Sequence, residues 1–179
     1  MIHIENRIIP YGPNFLGKIT RNEKTFITIH ESSIGTEFAP SNRTIEYYEN
    51  RITNPPDGAN PQIGYHFMVS DSRIVQFIPL EYRTAHAGTC EGNDSIAIER
   101  LVNGNINFPM AIDNQAKLTA TLMYMFNIPI EHVVPHKYWS GKECPARLLA
   151  GMYGGWNSFI KKVRNFYDTH DILKFEEIN

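Results

Sequence analysis

The chain is short of cysteine, of excess charge and of long apolar runs. Only two of its 179 residues are cysteine, Cys90 and Cys144. Two cannot build a disulfide framework; they leave one bridge, two free thiols or a metal ligand as the options. Seventeen basic residues face 19 acidic ones, a net charge of −2. A protein held to nucleic acid through phosphates usually carries a basic excess, so that class is disfavoured, a local basic patch aside. No apolar run approaches the roughly 18 residues that a membrane-spanning helix needs, so no membrane insertion is expected. The opening MIHIENRIIPYGPNFLG lacks a basic segment followed by an unbroken apolar one, so it does not read as a secretory signal. A reducing cytoplasm is then the expected folding compartment, which favours free thiols or a metal ligand over a bridge. Repeats and low-complexity segments are absent too.

What is present suits one domain. At 179 residues, with 42% hydrophobic and 20% charged residues, the chain can bury a sizeable core without a staple. KTFITIH (24–30) is rich in β-branched and aromatic residues and reads as a buried strand. Ser41 is placed to cap a helix over 43–52, with Ile45, Tyr48 and Ile52 on one face. NPPDGANP (54–61) is a Pro/Gly loop. GYHFMVSD (64–71) and RIVQFIP (73–79) read as two strands about a turn, and DSIAIERLV (94–102) as a further apolar strand. Asp113 is placed to cap a long helix to about Phe126, and Pro145 to open a short one, PARLLAG. After Gly154 and Gly155, the residues Trp156, Phe159, Ile160, Val163 and Tyr167 recur at helical spacing, a core face. The mixture predicts an α/β fold, a central mixed β-sheet flanked by α-helices. Residues 168–179 are polar and acidic and read as a tail or linker stub after a domain of 1–167.

The stretch HKYWSGKEC (136–144) lies between Pro135 and Pro145 and cannot be one regular element. His136 and Cys144 bracket a loop containing Trp139 and Gly141, and His30 ends the strongest apolar strand. Neutral imidazole and thiolate are good zinc ligands, and three protein ligands with an open position is the pattern of a catalytic zinc. On spacing alone one His-x7-Cys pair is a weak signal, and a lone histidine is by default a surface or satisfied core residue. Zinc hydrolysis would also need a base near the water and a positive group near the developing oxyanion. Glu99, at the end of an apolar strand, and Lys142, two residues before Cys144, can supply them. Their bland alternatives are a strand-end surface charge and a solvated loop lysine.

Four motifs in one order carry a resemblance: FITIHESS (26–33), GYHFMVSDSRIVQFIPLEYRTAHAG (64–88), NDSIAIE (93–99) and VPHKYWSGKECPARLL (134–149). Over about residues 20–165 the chain resembles the zinc-dependent N-acetylmuramoyl-L-alanine amidases of the type-2 amidase superfamily. That superfamily holds phage endolysins, bacillus cell-wall amidases, T7-lysozyme-like enzymes and peptidoglycan recognition proteins. The resemblance implies a zinc site in a groove at one edge of the sheet, with Zn2+ bound by His30, His136 and Cys144. It implies Glu99 as general base, Lys142 as oxyanion stabiliser, Tyr65 as a tyrosine near the metal and His86 as a histidine lining the substrate groove. The implied substrate is bacterial peptidoglycan, cut at the amide joining N-acetylmuramic acid to L-alanine. The absence of a secretory signal then favours a phage or prophage endolysin, made in the host cytoplasm and released to the wall through a holin pore, over the alternative of a bacterial autolysin without its export signal.

His66 neighbours Tyr65 on a strand, faces the other way and is expected to be structural; Cys90 is expected to be a bystander. The chain departs from the pattern at Glu31-Ser32-Ser33, where many relatives carry a small or amide residue and then Thr-Ala, and at Ala97, where many carry Gly. Glu31 brings a carboxylate close to the metal loop and should point away from His30. Two other classes remain open: a non-catalytic peptidoglycan-binding protein of the same fold, and a domain held by a Cys90–Cys144 disulfide.

Overall fold

A computed structural model describes residues 2–12, 15–18, 25–32, 36–54 and 64–173. Its strands are β1 (Ile4–Asn6), β2 (Phe15–Lys18), β3 (Ile27–Glu31), β4 (Phe67–Val69), β5 (Ile74–Gln76), β6 (Tyr82–Thr84), β7 (Ile96–Arg100) and β8 (Val133–Pro135). Its α-helices are α1 (Ile45–Thr53), α2 (Cys90–Asp94), α3 (Phe108–Phe126), α4 (Lys137–Ser140), α5 (Ala146–Leu149) and α6 (Gly155–Asp168). Among the described residues one mixed sheet runs β1-β5-β4-β7-β3-β8, antiparallel only between β4 and β5. β2 and β6 form a separate antiparallel pair. No helix among them is long and apolar enough to cross a membrane.

The central strands are apolar because both their faces are covered, as parallel strands require. Every residue of β3 and β7 is buried. Alternation along each strand sends Ile27, Ile29, Ile96 and Ile98 to one face, into a core with Leu118 and Leu122 of α3 and Phe159 and Val163 of α6. On the other face Met68, Val75 and Ala97 pack with Ile45 and Ile52 of α1 and with Tyr65 and Phe77. The expected α/β architecture is therefore the observed one. The apolar face expected on the last helix is also the observed one, with Phe159 and Val163 fully buried and Trp156, Ile160 and Tyr167 partly so.

Several boundaries differ from the sequence expectation. α1 is capped by Thr44, whose hydroxyl accepts from the Tyr47 N–H, not by Ser41. α3 begins five residues before Asp113: the Asn107 side chain caps it by accepting from the Met110 N–H, and Pro109 fits its first turn. Asp113 instead pairs with Lys162 of α6 at 2.6 Å. Pro145 precedes α5 rather than opening it. Residues 55–61 of the Pro/Gly loop, the two that follow it, and 174–179 lie outside the described residues. Leu173, expected in a tail, is buried, and its N–H bonds the Thr121 hydroxyl of α3 at 2.9 Å.

His66 is fully buried. Its Nδ1 accepts from the Ala97 N–H at 3.0 Å and its Nε2 donates to the Tyr82 carbonyl at 3.0 Å. It ties β6 and β7 together as a neutral imidazole. α2 packs so tightly that a Cβ on Gly92 would stand 2.5 Å from the Ala87 Cβ and 2.9 Å from both Trp139 Cγ and Thr89 Oγ1. A Gly92→Ala substitution is therefore expected to cost about 1–3 kcal/mol by overpacking. A thermal melt should show a loss of several degrees; an unchanged melting temperature would mean that the neighbours yield freely.

Candidate metal centre

Three strands end at one place. His30 stands near the C-terminal end of β3, opposite Glu99 of β7 in the parallel register. His136 follows the edge strand β8, and its N–H bonds the Ile29 carbonyl at 3.2 Å. The candidate ligand atoms of His30, His136 and Cys144 all lie within 4.8 Å of one another, and all three residues are buried. The His30 Nδ1 is 3.9 Å from the Cys144 Sγ, and the His30 and His136 ring centroids are 4.7 Å apart. Zinc bonds of about 2.0–2.3 Å in a tetrahedron separate donors by roughly 3.5 Å, so this trio needs little adjustment to hold an ion. Among the described residues the buried His136 Nδ1 has no hydrogen-bond partner, a vacancy that is costly unless a ligand fills it. Two imidazoles and a thiol form a donor set that suits zinc.

Hydrogen bonds hold the loop 136–144 in place. One turn, α4, ends at Gly141 with φ 76°, a left-handed conformation that glycine adopts without strain. The Lys137 N–H bonds the Cys144 carbonyl at 3.1 Å and closes the loop. Lys137 and Glu143 pair across it at the surface. The Trp139 Nε1–H donates to the Thr28 hydroxyl at 2.8 Å, and Thr28 in turn meets the Ser95 hydroxyl at 2.6 Å. Cys90 is exposed and Cys144 buried, and both are free thiols, so no disulfide joins them.

Burial sets the protonation of the centre in the absence of metal. It holds His30 well below its ordinary value, helped by His86, His136 and Lys142. It lowers His136 to about 4, with Lys142 assisting. Both rings are then neutral at pH 7 and have a lone pair to offer. Burial, followed by the Glu99 charge, pushes the Cys144 thiol up to about 12, so ligation must displace its proton. His86 is itself buried, and its Nδ1 lies 3.0 Å from the His30 Nε2. If the His30 Nδ1 faces an ion, its Nε2–H donates to His86, a contact that fixes tautomer and ring orientation. The Asn93 side-chain oxygen accepts from the His86 and Ala87 N–H groups at 3.1 and 2.9 Å and steadies that loop.

Glu99 is no surface charge; it is buried and pushed up to about 8, chiefly by burial and against the pull of Lys142. Lys142 is exposed, close enough for its charge to act on Glu99 and both histidines. Tyr65 is buried, and its phenol is raised well above 10.0 by burial and by the neighbouring Glu99. Tyr48, which the sequence offered only as a core residue of α1, donates its hydroxyl to the Ser32 carbonyl at 2.8 Å and also feels Glu99. A cavity of about 450 Å³ opens elsewhere, lined by Met123, Ile130, Arg164 and Tyr167 among others, and holds none of these groups.

Sequence reasoning turned Glu31 away from His30 but missed the partners it meets on the far face of the same strands. There the Glu31 carboxylate pairs with Arg100 at 2.6 Å and with Arg147 at 3.4 Å, all three side chains fully buried. Arg100 also donates to the Gln115 Oε1 at 2.6 Å. Period-two alternation opposite His30 and Glu99 could have placed Glu31 and Arg100 together; nothing in the spacing marked Arg147 or Gln115.

Comparisons with known proteins agree with this geometry. Residues 20–147 match the family described as N-acetylmuramoyl-L-alanine amidase, Amidase_2. The N-acetylmuramoyl-L-alanine amidase XlyA of Bacillus subtilis (strain 168) is 36% identical over 162 residues, 89% of this chain and 50% of XlyA. The amidase CwlH of the same organism is 37% identical over 142 residues, 77% of this chain and 52% of CwlH. The chain thus spans about half the length of the curated relatives it matches. The solved catalytic domain of XlyA superposes with a TM-score of 0.77 at 34% identity, covering 90% of this chain and 99% of that domain. A mutant endolysin from Bacillus subtilis superposes equally well, covering 91% and 99%. With a family match over residues 20–147 and a curated relative 36% identical across 89% of its length, the chain belongs to the N-acetylmuramoyl-L-alanine amidase family.

Proposed function

We propose that the chain is a zinc-dependent N-acetylmuramoyl-L-alanine amidase that cuts the amide between N-acetylmuramic acid and L-alanine in bacterial peptidoglycan. We place the catalytic domain at 1–167, as part of a phage or prophage endolysin. The observation that carries the reading is the convergence of the His30, His136 and Cys144 donors with a buried Glu99 at the ends of β3, β7 and β8, in a chain of this family. Such an enzyme acts at the cell wall, and a phage-encoded one would reach it from the host cytoplasm through a holin pore.

When bound, zinc supplies Lewis-acid polarisation of the amide carbonyl and lowers the pKa of an attacking water. The protein's own groups do the rest. His30 and His136 are kept neutral by burial and present lone pairs. Glu99 takes a proton from the water and returns it to the departing alanine nitrogen. The Lys142 ammonium offsets the negative charge that develops on the carbonyl oxygen. Tyr65 lies close enough to Glu99 to feel its charge and is placed to orient the water or the substrate carbonyl. His86 steadies His30 through its Nδ1 and borders the substrate side of the centre.

Release of new N-terminal alanine from purified peptidoglycan, by metal-stripped and by zinc-restored protein, tests the reading. Alanine ends are expected only with zinc. New reducing sugar ends would make the enzyme a glycosidase, and wall binding without any release would favour a non-catalytic binder. Glu99→Gln should fold and keep zinc but lose about 10²–10⁴-fold in turnover; near-normal turnover would remove Glu99 from the mechanism.

A pH prediction concerns the metal-free protein. Glu99 holds its proton up to about pH 8 when folded, against 4.5 for its ordinary value. The folded state therefore binds the proton more tightly. The stability this contributes is complete below the unfolded pKa and is lost as pH rises through the folded one. Glu99→Gln, which never ionises, should gain on wild type between about pH 5 and 8, by up to ~1.4 kcal/mol per unit. Urea melts of both stripped proteins across that range would show it; a constant difference would mean that Glu99 ionises normally.

A further inference from the structure

Glu31 is the buried carboxylate that the proposed reaction leaves unused. It follows His30 in β3 and, by alternation, points to the opposite face of the sheet. Its Oε2 accepts from the Arg100 Nη2 at 2.6 Å. Its Oε1 accepts from the Arg147 main-chain N–H at 2.9 Å and from the Arg147 Nη1 at 3.4 Å. Arg100 continues to Gln115, whose side-chain amide donates to the His30 and Ile98 carbonyls, each at 3.1 Å.

Each charged member of this cluster is a near neighbour in the chain of a residue of the metal centre. Glu31 adjoins His30, Arg100 adjoins Glu99, and Arg147 follows Cys144 by three. The β3–β8 register ends at Ile29 and Pro135, and the His136 N–H to the Ile29 carbonyl, at 3.2 Å, is its last main-chain link. Beyond that point the strand end bearing His30 is tied to the segment bearing Cys144 through the Glu31 carboxylate and the Arg147 N–H. Net stability is a weak reason for such a cluster, because well-packed apolar residues of similar volume commonly serve as well. Fixed geometry is a stronger one: two carboxylate oxygens held by a main-chain N–H and two guanidinium groups allow one register.

We infer that Glu31, with Arg100 and Arg147, is a positioning device for the metal ligands, acting from the far face of the sheet. It locks the end of β3 to the start of α5 and so holds His30 and Cys144 near coordination spacing before an ion arrives. The inference rests on the zinc reading of the centre and adds to it a source of preorganisation.

Zinc affinity measured by competition with a chromophoric chelator, together with the absorption spectrum of the cobalt-substituted protein, tests it. The first variant, E31D, keeps the charge but draws the carboxylate back by one methylene. The second, E31M/R100M/R147M, replaces the whole cluster with apolar side chains and avoids stranding a charge. Metal-free melts should show both folded. Both should bind zinc about 10- to 100-fold more weakly than wild type, with a weakened or shifted thiolate-to-cobalt band. A merely structural role would leave affinity and spectrum untouched in a variant that folds. If E31D binds zinc like wild type, the inference is overturned whatever the triple variant does. If wild type itself binds no zinc, the metal reading falls and the inference with it.

Discussion

In the parallel pairing of β3 with β7, His30 stands opposite Glu99 and Glu31 opposite Arg100. Most of what surrounds the site depends on that register. Side chains alternate between faces, so one pair enters the metal centre and the next pair enters the core beneath α3. A slip of one residue in either strand would send a carboxylate or a guanidinium to the wrong face and separate the candidate ligand from the candidate base. The strands resist a slip because Ile27, Ile29, Ile96 and Ile98 are buried on the helix side and have no other place to go.

The same burial has opposite effects on the two faces. On the metal side it keeps the imidazoles neutral, the thiol protonated and the Glu99 carboxyl reluctant to ionise. These groups are thereby ready to exchange protons or accept an ion. On the core side it encloses a carboxylate between two arginines. The Cζ atoms of Arg100 and Arg147 lie over Phe108 and Phe38, at 4.7 and 4.6 Å from the ring centroids. Aromatic covers of this kind suit a weakly hydrated guanidinium. Burial on one side of the sheet thus leaves reactive groups only partly satisfied, and on the other joins charged groups into a network.

Much of this was legible in the residues. The apolar runs around 27–31 and 96–100 mark buried strands, and the spacing from Trp156 to Tyr167 marks an amphipathic helix. Four motifs in family order single out His30, Glu99, His136, Lys142 and Cys144. Helix starts were less legible, because several polar residues near each start compete for the cap. Thr44 and Asn107 prevail over Ser41 and Asp113 through the hydrogen bonds their side chains actually make. Leu173, in a polar and acidic segment, finds a buried place beside Thr121 that only the path of the chain after α6 provides.

Local chemistry and periodicity are properties of the chain itself. By itself the sequence therefore determined that this is an α/β domain, which residues are the candidate ligands and base, and that Glu31 and His30 face opposite ways. Tertiary structure decided which distant groups meet. Arg147 and Gln115 reach Glu31 and Arg100, His86 reaches His30, and Trp139 hangs from Thr28, across separations of 56 to 116 residues wherever the contact crosses from one motif to another, save the 15 between Arg100 and Gln115. Those contacts depend on how the helices cross the sheet and how the 136–144 loop folds back. Side-chain packing in three dimensions sets both, and no periodicity along the chain encodes them.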